Sequence, residues 1–314
     1  MKTITPDILI IAQEENPNVH YILNHLQSYN YYLWNIASFP VHVSCSVRLG
    51  QDKTKPFLID LQKDEYIALD SLKSVWWYNP SIPIISSDIQ DTNQKKFAFV
   101  SCCQFIDGLS YILDCLWVNQ PIRQEIATNL LYQVQIAKLA GFDTLETLVT
   151  NHRDSLAFAQ NFRLLYLPLQ PWEKPQDLMS ENLSLDNLDL APCFFQQMPN
   201  NNISLLTTLV IGTQIYSAFQ YEEVDGTYKY TPNNLPADIE KKIFALAQMS
   251  GLIYFRIYFL KDNNEKYYFL SMDVSPSLLE LPIFLDLSCE IFINLLVHGK
   301  GANSHSFWPT LATN

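Results

Sequence analysis

The stretch WVNQPIRQEIATNLLYQVQIAKLAG, residues 117–141, decides how this chain divides. Pro121 suits a first helical position, where its missing N–H would be unpaired anyway. Gly141 suits a helix end, where a left-handed residue closes the last turn. Between them Ile122, Ile126, Leu130, Val134 and Ala137 recur at helical spacing, which predicts one amphipathic helix over 121–140. The residues just before it, 117–121, are the natural boundary between a first lobe and the rest.

Working back from that boundary, the first lobe reads as α/β. Residues 7–12 are a short apolar run, the pattern of a buried strand. Asn16-Pro17 supplies a cap and a first helical proline for a helix reaching about 29. Val41, Val43, Cys45 and Val47 alternate with other residues and predict a half-buried strand. Further strands are expected at 56–60, 65–69 and 97–101. Phe105, Leu109, Ile112, Leu113 and Leu116 fall on one helical face and predict a helix after them.

Working forward, 170–191 is polar and contains prolines, which predicts a loop. Two strand-like runs, 203–211 and 213–220, flank Gly212. A helix is expected at about 237–250, between Pro236 and Gly251. Strands at 252–260 and 267–274 flank the turn Asp262-Asn263-Asn264-Glu265, and a last helix covers about 283–298.

Composition narrows the function classes. The 314 residues are 48% hydrophobic and 17% charged, enough to bury a sizeable core. A net charge of −12 without a basic run argues against nucleic acid and anionic membranes as partners. Eight glycines leave little material for phosphate-cradling loops, while eighteen Phe and seventeen Tyr give an aromatic surplus. The six cysteines form no C-x-x-C pair and read as reduced core residues of a cytoplasmic protein. The apolar stretch 283–297 carries Asp286 and Glu290, so it is too short and too charged to span a bilayer. His20 and His25 are five apart, a poor helical spacing for a shared metal. Trp76 and Trp77, ahead of a proline turn, are candidate contact residues, and Tyr254, Arg256 and Tyr258 share one strand face as a candidate groove.

Three stretches in this order resemble the microviridin-type graspetide ligases, ATP-grasp enzymes that crosslink ribosomally made peptides. They are Val75-Trp76-Trp77-Tyr78-Asn79-Pro80-Ser81; then Trp117 to Pro121 with Ala127-Thr128-Asn129, Tyr132-Gln133, Ala137 to Gly141 and Thr150-Asn151; then Phe195-Gln196, Gly212, Gly251-Leu252 and Phe269-Leu270. The resemblance implies an N-terminal α/β lobe (1–118), a central ATP-grasp-like small lobe (119–193) and an α+β C-terminal lobe (194–314). It also implies two phosphate-binding lysines, an arginine and a set of magnesium ligands.

This sequence departs from those expectations. Leu130 and Leu167 stand where the lysines belong, and Thr207 where the arginine belongs. Tyr258, Ser271 and Asp273 stand in the metal-ligand positions, with Arg256 on the same strand face as Tyr258. The expectation is therefore a degenerate ATP-grasp protein without cofactor or metal. It would bind a ribosomal precursor peptide or a sibling ligase, with a homodimer as a further option. Two alternatives stand beside it: ATP-independent peptide chemistry using Arg256, Tyr258, Ser271 and Asp273, and an unorthodox active ligase.

Overall fold

The computed structural model describes residues 1–50, 55–155, 164–167, 176–177, 188–199, 203–223 and 226–299. Most of the expected loop at 170–191 lies outside them. In chain order the first elements are β1 (Lys2–Ile4), β2 (Ile8–Ala12), α1 (Pro17–His25), β3 (Tyr31–Trp34), β4 (Val43–Arg48), β5 (Lys55–Asp60), β6 (Glu65–Ala68), β7 (Ser74–Tyr78), α2 (Thr92–Ile112) and β8 (Leu116–Val118). There follow α3 (Pro121–Thr128), α4 (Leu130–Leu139), β9 (Asp143–Thr144), β10 (Thr147–Thr150), β11 (Leu164–Leu167), β12 (Gln176–Asp177) and β13 (Cys193–Gln197). The last are β14 (Ile203–Ile211), β15 (Gln214–Glu222), β16 (Tyr228–Pro232), α5 (Ala237–Ser250), β17 (Tyr254–Asp262), β18 (Tyr267–Asp273) and α6 (Leu285–His298).

Four sheets result among the described residues, in the orders β1-β6-β5-β4, β3-β2-β7-β8, β10-β13-β11-β12 and β16-β15-β14-β17-β18-β9. The second is parallel throughout. That explains why β2 is an unbroken apolar run and β7 is apolar and aromatic after Ser74, since both faces are covered. The class is mixed α/β, as the patterning predicts.

Several local expectations are corrected. The strand expected at 97–101 is part of α2, which Asp91 caps by accepting the Gln94 N–H at 2.8 Å. Phe97 is 75% exposed and Val100 48%, so this apolar run lies on the outer face of a helix. Helix α1 stops at His25, where the Leu26 N–H tightens onto Ile22 and Leu23 carbonyls. The single helix over 121–140 is two. Asn129 ends α3 in an extended conformation, and its side chain caps α4 through the N–H groups of Leu131 and Tyr132. The break shifts the phase of the buried face, so Ile122 and Ile126 are exposed, while Gln124, Ala127, Gln133 and Val134 go inside. Gly251 closes α5 at φ +71, a conformation that strains any side chain, and the Arg123 side chain lies against the space a Cβ would take.

Buried polar side chains tie the N-terminal parallel sheet and its following helices to the C-terminal half. Asn119 accepts the Ile253 and Tyr254 N–H groups and donates to the carbonyls of Tyr254 and Val274. Gln133 exchanges bonds with both backbone groups of Met272 and also donates to Ala127. Asn18 accepts the Leu278 N–H, and the Ser74 hydroxyl donates to Leu296 at 2.7 Å. One apolar core runs through β2, α1, β7, α4, α5, α6 and the six-stranded sheet.

Candidate functional site

The site is built on three neighbouring strands. β14, β17 and β18 pair antiparallel, and side chains directly opposite one another share a face. One row across the three strands is Thr207, Tyr258, Ser271. The next is Leu209, Arg256, Asp273. Five positions singled out in the sequence therefore form one patch. Tyr258 also packs with a small apolar cluster, Leu145, Met198, Leu260 and Leu270, that includes Leu165 of the small sheet.

Leu130 and Leu167 are elsewhere. Leu130 begins α4 and packs with Val134, Phe194, Val149 and Leu165. Leu167 ends β11 opposite Phe194, and its side chain lies outside the described residues. Two contact candidates are corrected. Trp76 is fully buried against Tyr78 and Phe292, because β7 is an interior strand. Tyr254 is buried too, its ring against Phe292 and its hydroxyl donating to the Pro276 carbonyl at 2.7 Å. Trp77 is half-buried, its ring near Trp117.

Arg256 dominates the electrostatics. Its side chain is only 2% exposed. Nη1 donates to a carboxylate oxygen of Glu280, and Nη2 donates to the Ser277 carbonyl at 2.6 Å. Burial works against the charge; Tyr258 and Glu280 outweigh it and hold the guanidinium protonated. Asp273 is the direct cross-strand neighbour, yet its Oδ1 accepts the Ser275 N–H at 2.9 Å. Burial raises the Asp273 carboxyl above its ordinary value, and Arg256 offsets only part of that. The surrounding phenols are poor acids. Burial, with Asp273 and Glu280 nearby, pushes Tyr78 up to about 12, and burial raises Tyr258 despite Arg256.

Glu280 was not among the residues read from the sequence. The pattern Ser277-x-x-Glu280 ahead of an apolar run is a helix-start signature that could have drawn attention to it, and Ser277 does cap a short 3₁₀ turn over Leu278–Glu280. Among the described residues no group of three or more His, Cys, Asp or Glu is placed to hold a metal ion. Nor is any described helix long and apolar enough to cross a membrane.

No family model matches this sequence, and no curated protein does. Solved structures do match. The macrocyclase MdnC of Microcystis aeruginosa MRC, bound with precursor peptide MdnA, is 20% identical with a TM-score of 0.78, covering 95% of this chain and 99% of that one. A RiPP-associated ATP-grasp ligase of Chryseobacterium gregarium, in complex with ADP and a leader and core peptide, is 17% identical with a TM-score of 0.76, covering 94% and 96%. D-alanine–D-alanine ligase of Bacillus anthracis, complexed with ATP, is 11% identical with a TM-score of 0.58, covering 95% and 96%. The chain has the ATP-grasp fold. Its architecture follows the ligases of ribosomal peptides more nearly than the D-alanine ligase, and over almost their whole length.

Proposed function

We propose that this protein is a graspetide-ligase-like member of the ATP-grasp fold that does not use ATP. It binds a ribosomal precursor peptide, or a sibling ligase that acts on one. The two rows on β14, β17 and β18 carry this reading. Thr207 stands where the resemblance implies a phosphate-binding arginine. Tyr258, Ser271 and Asp273 stand where it implies magnesium ligands, with a guanidinium directly across from the single carboxylate. Magnesium needs near-octahedral oxygen ligands and shared phosphate oxygens. Arg256 fills that neighbourhood with positive charge, and Leu130, where the resemblance implies a phosphate-binding lysine, packs among apolar side chains. These residues do not fit Mg-ATP, so no step is drawn through it.

The peptide half of the reading is supported by the fold it shares with a macrocyclase solved with its precursor peptide. The net charge of −12 favours a basic partner segment, through steering more than affinity. Half-buried Trp77 remains an available anchor; Trp76 and Tyr254 do not.

Calorimetry with millimolar Mg-ATP is expected to show no binding; a micromolar dissociation constant would overturn the loss of nucleotide use. Pull-down with precursor peptides and ligases encoded nearby, followed by titration, is expected to find one partner at micromolar affinity or tighter. Its association rate should fall as salt rises. Failure to bind any of them would overturn the peptide or ligase partner.

A further inference from the structure

At this patch, we propose that Arg256 forms a carboxylate seat, that Glu280 is the chain's own occupant of it, and that a carboxylate of a bound peptide takes Glu280's place without a metal ion. The inference takes its ligand class from the peptide-binding reading, and its geometry from the structure alone.

A guanidinium buried this deeply is costly unless its donors are met. The chain meets them incompletely. Glu280 takes Nη1 and the Ser277 carbonyl takes Nη2, while Nε is buried and has no partner. The Tyr258 hydroxyl stands 3.5 Å from Nη1, at the outer limit of a hydrogen bond. Asp273 is occupied by the Ser275 N–H. A carboxylate free of Glu280's backbone can take Nη1 and Nη2 together, where Glu280 reaches Nη1 alone, because that edge of a guanidinium is a two-donor fork for a carboxylate.

The two partners are anchored very differently. Arg256 lies on an interior strand, paired on both sides. Glu280 ends a three-residue 3₁₀ turn, and its side chain is 58% exposed. The anion can swing into water while the cation stays fixed. Leu279, Ile283 and Leu287 are exposed in the same segment and offer apolar contact to residues flanking an incoming carboxylate. The resident group is a carboxylate, which favours that class over phosphate. Its source is an acidic side chain or a peptide C-terminus.

The test is chemical rescue. Thermal unfolding of the full chain is followed with sodium acetate, sodium phosphate and sodium chloride at matched ionic strength. In Glu280→Ala, acetate should raise the melting temperature by several degrees over chloride, with a response at least twice that of the wild type. Arg256→Met in the same background should abolish the difference. Should Glu280→Ala not fold, Glu280→Gln carries the same comparison. In the wild type, the Arg256 Nε–Hε NMR signal should shift with acetate and not with chloride. Blocked pentapeptides then separate the sources, one with a central Glu and amidated, one all-Ala with a free C-terminus. A response to either peptide supports the seat and names its source. Equal effects of acetate and chloride, a phosphate effect larger than acetate's, or a response that survives Arg256→Met would overturn it. None of these results depends on Mg-ATP or precursor binding, so the seat can fail while the peptide reading stands, and the reverse.

Discussion

Particular buried amides against the six-stranded sheet and in the small sheet of β10, β11, β12 and β13 meet opposite fates. Against the large sheet, Asn119 and Gln133 are both fully engaged, and each joins elements far apart in the chain. In the small sheet, Gln196 is just as deeply buried, and neither its Nε2 nor its Oε1 has a partner. The same functional group is a fastener in one place and an unmet demand in the other. A fully satisfied buried network fixes one arrangement, whereas an unpaired group costs its desolvation. The large sheet is thereby held to the segment that follows the N-terminal parallel sheet, and the small sheet is a place where a ligand, water or rearrangement has something to gain.

The largest effect should come from cutting a fastener. Asn119→Ala strips partners from two buried N–H and two buried carbonyl groups, a loss of about 4 kcal/mol at 1–3 kcal/mol for each orphaned group, allowing for relaxation. Denaturant unfolding measures it; a loss below about 1 kcal/mol would break the contrast.

The sign should reverse in the small sheet. Gln196→Leu removes an unpaired buried amide at similar volume and should stabilise the chain by about 1 kcal/mol. If the variant is instead less stable, Gln196 has a partner in solution and the two sheets are alike.

A smaller effect is expected from Asp273→Asn. Burial raises this carboxyl in the folded state, so the folded chain favours the protonated form. Stability tied to it is present below the ordinary carboxylate pKa of about 4 and is lost as pH rises through the folded value. Asp273→Asn should flatten that decline and be slightly more stable than wild type at pH 7. Melting temperatures from pH 4 to 8 read it, and an unchanged slope would mean that Asp273 is better solvated than its place beside Arg256 implies.

Much of the architecture was legible because it rests on local chemistry. Pro236 and Gly251 bracket α5, and the turn from Asp262 joins β17 to β18, as their residue types dictate. The patch of Thr207, Arg256, Tyr258, Ser271 and Asp273 was readable for the same reason, since strand parity places residues two apart on one face. The errors share a cause as well. Residues 97–101 look like a strand because apolar content is visible while its direction is not. The break at Asn129 is invisible to a periodicity count, because Asn is tolerated in helices and its capping role appears only when the next helix begins. Trp76, Tyr254 and Glu280 were misjudged or missed because burial and ion pairing depend on elements distant in the chain, 216 positions on for Trp76 against Phe292 and 38 for Tyr254, or on a short turn with no period of its own.

The side-chain ties between the two halves have a consequence in time. Asn119 waits for Ile253 and Tyr254, 134 and 135 positions later; Ser74 waits 222 positions for Leu296, and Asn18 waits 260 for Leu278. A ribosome adding about 5–20 residues per second leaves Asn18, Ser74 and Asn119 exposed for many seconds before those partners exist. During that interval the amide of Asn119 must stay hydrated, and the strands it later clamps have not been made. Final closure is therefore a late event led by the last sixty residues, with the slow kinetics of distant pairing. A chain stalled before Leu252 would present its N-terminal parallel sheet with its fasteners open, a ready substrate for chaperones and proteases.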